Sequence, residues 1–334
     1  MKAQIAAIEY TLPDQYVTND DLDALHPEWS IHKVAERTGV MRRYVCREDE
    51  TSLDLAEIAC EKLLQRGLVA RDDIGAIIVC TQSPDYIMPP NSTLLQHRLQ
   101  LPETVAAFDY SLACSGFIYG LFMGKALIES QMLDNILLVT SEAYSKYLSP
   151  NDRATMVLFG DGAAATLLRR GDTGVGEVVL GTDGAGGERF IIPAGGARLP
   201  RSQETAIEHP DNFGNSRSQD NIYMDGQAML SFVKRRVPAS IKTLLGKSGY
   251  TSEDISMFVF HQASGLALDH LEKSLAIPPN KMWRNLADVG NTVSASIPIA
   301  IKDADSAGRI TAGSRLVLAG FGVGFSWGAC IVDW

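Results

Sequence analysis

The sequence has neither long apolar runs nor a regular set of cysteines. No stretch approaches the roughly 20 apolar residues that cross a bilayer, so we expect no membrane span. The first residues, MKAQIAAIEYTLP, carry one Lys and are interrupted by Glu9, which predicts a strand and not a signal peptide. The five cysteines are odd in number and scattered, with no CxxC pair. This pattern argues against a disulfide framework or a zinc site and favours a cytoplasmic protein.

Positive charge is also scarce. The chain has 40 acidic and 30 basic side chains, and its net charge of −10 disfavours non-specific binding to nucleic acid. An acidic partner would therefore need a local basic patch. Hydrophobic residues make up 46% and charged residues 21% of the 334 positions, a balance typical of globular proteins. The length suits two domains.

Short β-branched runs alternate with amphipathic stretches, which predicts an α/β fold with buried strands. Strands are predicted at 4–8, 74–80, 105–108, 136–140 and 163–168, and then at 176–180, 255–260, 315–319 and 328–332. Helices are predicted to begin at Thr18, at Thr51, at Asn91, after Ala113, at Asp225, at Gly265 and after Asn291. Thr51 followed by Asp54 has the spacing of a capping box, with Asp in place of the usual Glu.

A weak internal repeat divides the chain. AFDYSLACSGFIYGL is followed by NILLVTSEA and FGDGAAATLL, and RNLADVGNTVSASIPIA is followed by SRLVLAGFG and GFSWGACIV. Each block predicts a loop, a buried helix, a buried strand and a final strand bounded by glycine. The polar turn at Arg170–Gly174 then separates two halves, 1–172 and 173–334. Such a duplication would bring Cys114 and Asn291 together, since each precedes a buried helix.

Three residues at strand-to-helix junctions could carry chemistry. Cys114 precedes a predicted helix, whose N-terminus would lower the pKa of the thiol and offer N–H donors to an oxyanion, although most such cysteines are simply buried. His261 follows a buried strand, where α/β folds place their sites, but a single His there is often structural. Asn291 alone would be a turn or capping residue. Together the three make a workable set for acyl transfer.

The chain resembles the β-ketoacyl-acyl-carrier-protein synthase III family of the thiolase superfamily. The resemblance is carried by RTGV at 37–40, ACSGF at 113–117, DRATMVLFGDGAAA at 152–165, HQA at 261–263, GNTVSASIPIA at 290–300 and FGVGFSWGA at 321–329. It implies a five-layered αβαβα fold built from the two halves and a homodimer. It also implies acyl-coenzyme A or an acyl-carrier protein as substrates, with no metal or redox cofactor.

The resemblance also implies roles for individual residues. Cys114 would attack an acyl thioester and hold the acyl group, with its own backbone N–H and that of Val323 stabilising the oxyanion. His261 and Asn291 would bind the carbonyl of a malonyl-type donor during decarboxylation. The implied substrate-binding residues are Arg37 and Arg153 for the coenzyme A phosphates, Met88 and Phe117 for the acyl pocket, and Ser264.

The sequence departs from the family around the site entrance. Lys33 stands where the family has the Trp that stacks on adenine, and Ser264 and Leu266 replace the Asn and Arg that follow HQA. Lys234, Arg235, Arg236 and Lys242 could form a substitute docking patch, or simply a solvated helix face.

Three functions stay open from the sequence. The first is decarboxylative Claisen condensation. The second is acyl transfer from Cys114 to a hydroxyl or amine without a new carbon–carbon bond, although the retained His261 and Asn291 argue against it. The third is a non-catalytic subunit, which the presence of Cys114 disfavours.

Overall fold

The computed structural model describes residues 1–334. Its strands are β1 (Lys2–Thr11), β2 (Tyr16–Thr18), β3 (Arg42–Tyr44), β4 (Ala76–Cys80), β5 (Ala106–Tyr110), β6 (Asn135–Glu142), β7 (Gly162–Gly171), β8 (Val175–Thr182), β9 (Phe190–Ile191), β10 (His209–Pro210), β11 (Ser216–Arg217), β12 (Tyr223–Met224), β13 (Met257–Phe260), β14 (Arg315–Gly322) and β15 (Ser326–Asp333).

Its α-helices are α1 (Asn19–Leu25), α2 (Ile31–Thr38), α3 (Ser52–Leu64), α4 (Asn91–Arg98), α5 (Gly116–Glu129), α6 (Arg153–Met156), α7 (Gly226–Ser248), α8 (Gly265–Ser274), α9 (Leu286–Val289) and α10 (Ser296–Ser306). Short 3-10 helices occupy Pro27–Trp29, Arg71–Asp73, Tyr144–Tyr147, Gly184–Arg189, Ser252–Asp254, Pro279–Lys281 and Val293–Ala295. No helix combines the length and the apolar character that a bilayer crossing requires.

Two mixed sheets, of five and four strands, form the frame, and their first four strands correspond in order. The first runs β1-β7-β6-β4-β5, and the second, taken from its β8 edge, runs β8-β15-β14-β13. In each sheet the first two pairings are antiparallel and the next is parallel. The first sheet uses only residues 2–171 and the second only residues 175–333.

The strands carry apolar residues on both faces because both faces are covered by helices. In β4, Ile78 packs into the layer between the sheets, where α5 and α10 lie, while Ile77 and Val79 pack outward against α3. The outer face of the second sheet packs in the same way against α7 and α8. This confirms the expected α/β class and its five layers. Fully burying each such aliphatic side chain contributes about 1.5–3 kcal/mol before the entropy of folding is subtracted.

All nine predicted strands and all seven predicted helix starts are present. The predicted capping box is confirmed, since the Thr51 side chain accepts from the Asp54 N–H and the Asp54 carboxylate accepts from the Thr51 N–H at 2.9 Å. The additional strands, β2, β3 and β9 to β12, have only two or three residues. A two-residue alternation cannot be recognised over so short a length.

Candidate active site

A cavity of about 210 Å³ opens where α5, α8 and α10 begin, and Cys114, His261 and Asn291 all line it. Cys114 lies between β5 and α5, His261 follows β13, and Asn291 lies between α9 and α10. The other lining residues are mostly apolar, among them Leu158, Phe159, Phe190, Met224, Met229, Val233 and Phe321. The structure thus brings together three side chains that are far apart in sequence, in surroundings that largely exclude water.

The Cys114 sulfur is held against the turn that joins β14 to β15. A Cβ on Gly322 would lie 2.9 Å from both Cβ and Sγ of Cys114, so this position has room only for glycine. Two serines join the segments further, because the Ser115 and Ser326 hydroxyls are 2.7 Å apart and Ser326 Oγ donates to the Val323 carbonyl at 2.8 Å. The position of the thiol is therefore set by both halves of the chain.

The environment of Cys114 raises the pKa of its thiol well above the ordinary value. Burial is the main cause and the Glu142 carboxyl adds to it, while the backbone N–H of Cys114 acts in the opposite direction. The expectation that the helix N-terminus would lower this pKa is wrong, because the residue is only 4% exposed and loss of hydration outweighs the local N–H groups. The resting nucleophile is a thiol.

His261 is fixed by backbone and side-chain contacts. Its backbone N–H donates to the Ala319 carbonyl at 2.8 Å, and its ring meets the Phe321 ring edge to face at 5.5 Å. Its Nδ1 lies 2.6 Å from the Ser296 hydroxyl. Burial lowers the pKa of His261 to about 3, so the imidazole is neutral at physiological pH.

The Asn291 amide is oriented by a strained neighbour. Asn291 Oδ1 accepts from the Val293 N–H at 3.0 Å, and Nδ2 makes only a long contact of 3.4 Å with the Ala263 carbonyl. Val293 has a φ of +54°, a left-handed conformation that is costly for a β-branched residue, of order 1–3 kcal/mol. This backbone conformation directs the Val293 N–H toward Asn291 Oδ1, and the Asn291 NH₂ group remains available to a ligand.

Two backbone N–H groups beside the thiol have no acceptor within the protein. They belong to Cys114 and to Val323, in the turn after β14. Gly322, next to Val323, packs against Cys114, which places this turn beside the sulfur. Free N–H donors at a nucleophile are what an oxyanion requires.

Comparison with known proteins identifies the family. Residues 108–184 match the family described as 3-oxoacyl-[acyl-carrier-protein (ACP)] synthase III, and residues 245–334 match its C-terminal part. β-Ketoacyl-[acyl-carrier-protein] synthase III 3 of Streptomyces coelicolor is 36% identical over 97% of this chain and 94% of its own length. The chain belongs to the synthase III family.

Other relatives agree with this assignment. The synthase III of Chlamydia muridarum is 35% identical over 100% of this chain and 99% of its own length. A crystal structure of a 3-oxoacyl-(acyl-carrier-protein) synthase III is 41% identical and superposes with a TM-score of 0.98 over the whole of both chains. The fold is therefore the thiolase fold of this family, and the chain is an enzyme of the acyltransferase class.

Two of the substrate-binding residues expected of a synthase III line the cavity. Arg37, at the end of α2, is exposed at its mouth. Ser264 lines it and also caps α8, because its hydroxyl accepts from the Ala267 N–H. Leu266, which replaces the family's Arg, also lines the cavity and is 46% exposed.

The other three expected residues lie away from this cavity. Arg153 is half-buried and donates to the Trp29 carbonyl at 3.2 Å. Phe117 is fully buried among the core residues between the two sheets, because the first turn of α5 faces that layer. Met88 is 79% exposed and does not line the cavity.

A second cavity of about 370 Å³ is lined, like the first, by Phe190. It is lined by Gln82, Ser111, Tyr144, Tyr147, Gly187, Phe190, Ile191, Ile192, Ile222, Val323 and Gly324. Tyr144, Phe190, Ile222 and Cys114 belong to one apolar cluster, so this space adjoins the nucleophile.

Sequence reasoning missed the buried carboxyl of Glu142. It lies at the end of β6 and accepts from Ser294 Oγ at 2.7 Å, from the Gln82 N–H at 3.0 Å and from Ser83 Oγ at 3.1 Å. Burial raises the pKa of Glu142 to about 8, although these donors oppose the shift. The available signal was an acidic residue closing an otherwise apolar strand, NILLVTSE.

Proposed function

We propose that the chain catalyses decarboxylative Claisen condensation of a Cys114-bound acyl group with a malonyl-type thioester. The observation that supports this most directly is that Cys114, His261 and Asn291 line one largely apolar cavity. The retention of both His261 and Asn291 in the cavity, where they can donate to an enolate oxygen, argues against simple transfer of the acyl group to a hydroxyl or amine. The family membership favours the condensation as well.

In the first half-reaction the Cys114 sulfur attacks the carbonyl of an acyl thioester. The carbon–sulfur bond to the donor breaks, and the proton of the Cys114 thiol leaves with the departing thiolate as a free thiol. The negative charge on the carbonyl oxygen is stabilised by the N–H groups of Cys114 and Val323, which have no other acceptor. The product is an acyl-enzyme, as in other covalent mechanisms.

In the second half-reaction the malonyl carboxylate leaves as CO2 and its electron pair forms an enolate. The imidazole of His261 and the amide of Asn291 donate to the enolate oxygen, where charge develops. The enolate carbon attacks the acyl carbon on Cys114, the thioester bond to Cys114 breaks, and a β-ketoacyl thioester leaves. The Cys114 thiolate then takes up a proton from solvent, which restores the resting thiol. Loss of CO2 supplies the electron pair, so this proposal includes no metal or redox cofactor.

The proposed donor reaches the cavity from the α7 side, carried by coenzyme A or by an acidic carrier protein. Lys234 and Arg235 are exposed on α7, have no ion-pair partner, and border a groove that shares Leu230 with the cavity. Arg236 is instead turned toward Trp327 and Asp183. A local basic patch of this kind lets a chain of net charge −10 attract an acidic partner.

The proposed assembly is a homodimer joined through β5. This strand pairs only with β4, so its other edge is open, and Phe108 on it is 38% exposed. Exposed apolar side chains at Ile87 and Met88 lie in the loop that follows β4. An unpaired edge with apolar neighbours is a surface that proteins usually cover. We propose a cytoplasmic location, where the five free cysteines would stay reduced.

Measuring the two half-reactions separately tests the condensation. Intact-protein mass spectrometry after incubation with acyl-coenzyme A should show an adduct on the wild type but not on Cys114→Ala. His261→Ala and Asn291→Ala should keep the adduct and release CO2 from malonyl thioester about 10²–10³-fold more slowly. Formation of the adduct without CO2 release, across short and long acyl groups, would overturn the condensation in favour of simple acyl transfer. No adduct with any acyl group would favour a non-catalytic role.

A further inference from the structure

His261 and Ser296 form a buried pair at the back of the cavity. Their residues are 1% and 2% exposed, and His261 Nδ1 lies 2.6 Å from Ser296 Oγ. His261 follows β13 and Ser296 is the first residue of α10, so the contact joins two elements that both border the site. The reaction scheme gives Ser296 no chemical part, because its hydroxyl lies behind the imidazole and does not line the cavity.

The protons of this pair can be assigned from its contacts. The Ser296 hydroxyl has no hydrogen-bond partner other than His261 Nδ1. If Nδ1–H donated to the hydroxyl, the hydroxyl proton would be buried without an acceptor, which costs about 1–3 kcal/mol. If the hydroxyl donates to the lone pair of Nδ1, both groups are satisfied. The single ring proton of the neutral imidazole then lies on Nε2.

We propose that Ser296 is a positioning residue that holds His261 in the tautomer with its proton on Nε2, the ring nitrogen left for the cavity. This inference rests on the proposed function, in which His261 must donate to the enolate oxygen. The other tautomer would present a lone pair to that oxygen and repel it. The Val293 N–H orients the Asn291 amide in the corresponding way. Each of the two donors, His261 and Asn291, is therefore oriented by one neighbouring residue. These neighbours are Ser296, at the start of α10, and Val293, just before it.

Comparing Ser296→Ala with Ser296→Thr tests the role kinetically. Ser296→Ala should slow CO2 release from malonyl thioester by at least about tenfold, because the imidazole is then free to adopt the other tautomer and to rotate, and the donor to the enolate oxygen is largely lost. Acylation of Cys114, which does not use His261 as a donor, should change little. Ser296→Thr keeps the hydroxyl and should restore most of the CO2 release. An unchanged rate in Ser296→Ala, or an equal loss in both half-reactions, would overturn the proposal.

A spectroscopic measurement decides the matter even if the variants fold poorly. In wild-type protein with ¹⁵N-labelled histidine, the His261 signals can be identified among the six histidines by their loss in His261→Ala. We expect Nε2 to carry the proton and Nδ1 to show the shift of an unprotonated, hydrogen-bonded nitrogen. A proton on Nδ1 would refute the assignment to Ser296. Absence of CO2 release from the wild type would instead count against the proposed function, independently of the spectrum.

Discussion

Replacing Gly322 by alanine should displace the nucleophile without changing its chemistry. The new Cβ would lie 2.9 Å from both Cβ and Sγ of Cys114, whereas ordinary contacts between such atoms begin near 3.4 Å. Gly322 is not in the left-handed region, so alanine brings no backbone strain and the effect is steric alone. Either the thiol or the turn after β14 must therefore move by about half an ångström or more.

Two magnitudes follow from this displacement. Overpacking at a buried site typically costs about 1–3 kcal/mol, so the free energy of unfolding should fall by that amount. A misplacement approaching 1 Å in an active site can cost about 10²-fold in rate, so we expect acylation of Cys114 to slow by about 10- to 100-fold. The displacement should affect acylation more than the binding of acyl-coenzyme A, because Gly322 touches the sulfur directly.

The assay is the rate of acyl-enzyme formation, followed by mass spectrometry in single turnovers, together with urea unfolding. Gly246→Ala is a suitable control, since Gly246 is exposed in α7 and an added Cβ there would meet nothing within 4 Å. The control should be more stable by up to about 1 kcal/mol and acylate normally. If Gly322→Ala acylates at the wild-type rate, close packing of the turn does not determine the position of the nucleophile.

Three further predictions concern groups around the site. Because burial raises the pKa of Glu142 to about 8, its contribution to stability is greatest below the unfolded value near 4.5 and is lost as pH rises toward 8. Urea unfolding of Glu142→Gln should therefore show a smaller loss of stability between pH 5 and pH 8.5 than the wild type, and parallel curves would contradict this. Lys234→Glu should raise the KM for a malonyl thioester on an acidic carrier protein by about tenfold at low salt. Lys242→Glu, at an exposed position further along α7, should leave this KM unchanged. Equal effects of the two substitutions would refute docking near the cavity. Phe108→Arg should lower the molecular mass measured by light scattering from that of a homodimer to that of a monomer. Ile58→Arg, on the outer face of α3, should leave this mass unchanged. A dimeric Phe108→Arg protein would exclude β5 as the interface.

The positions of the elements were predictable because they depend on local properties. Buried strands such as β4 are continuous apolar runs, and the capping box at Thr51 is decided within four residues. The family motifs around Cys114, His261 and Asn291 likewise stand in the sequence itself. For this reason the fold, the family and the candidate catalytic residues are predictable from the sequence alone.

The pKa values and the side-chain orientations of these residues depended on tertiary packing. Local reasoning predicted a lowered pKa for Cys114, but the loss of hydration that raises it comes from residues packed around it from both halves of the chain. The Glu142 carboxyl and the Ser296 hydroxyl reach the site across 152 and 35 residues of sequence, to Ser294 and His261, respectively. Sequence spacing contains no information on such contacts. The sequence by itself identified the candidate catalytic residues, and only the packing decided their protonation and orientation, because burial and hydrogen-bond geometry arise when distant segments meet.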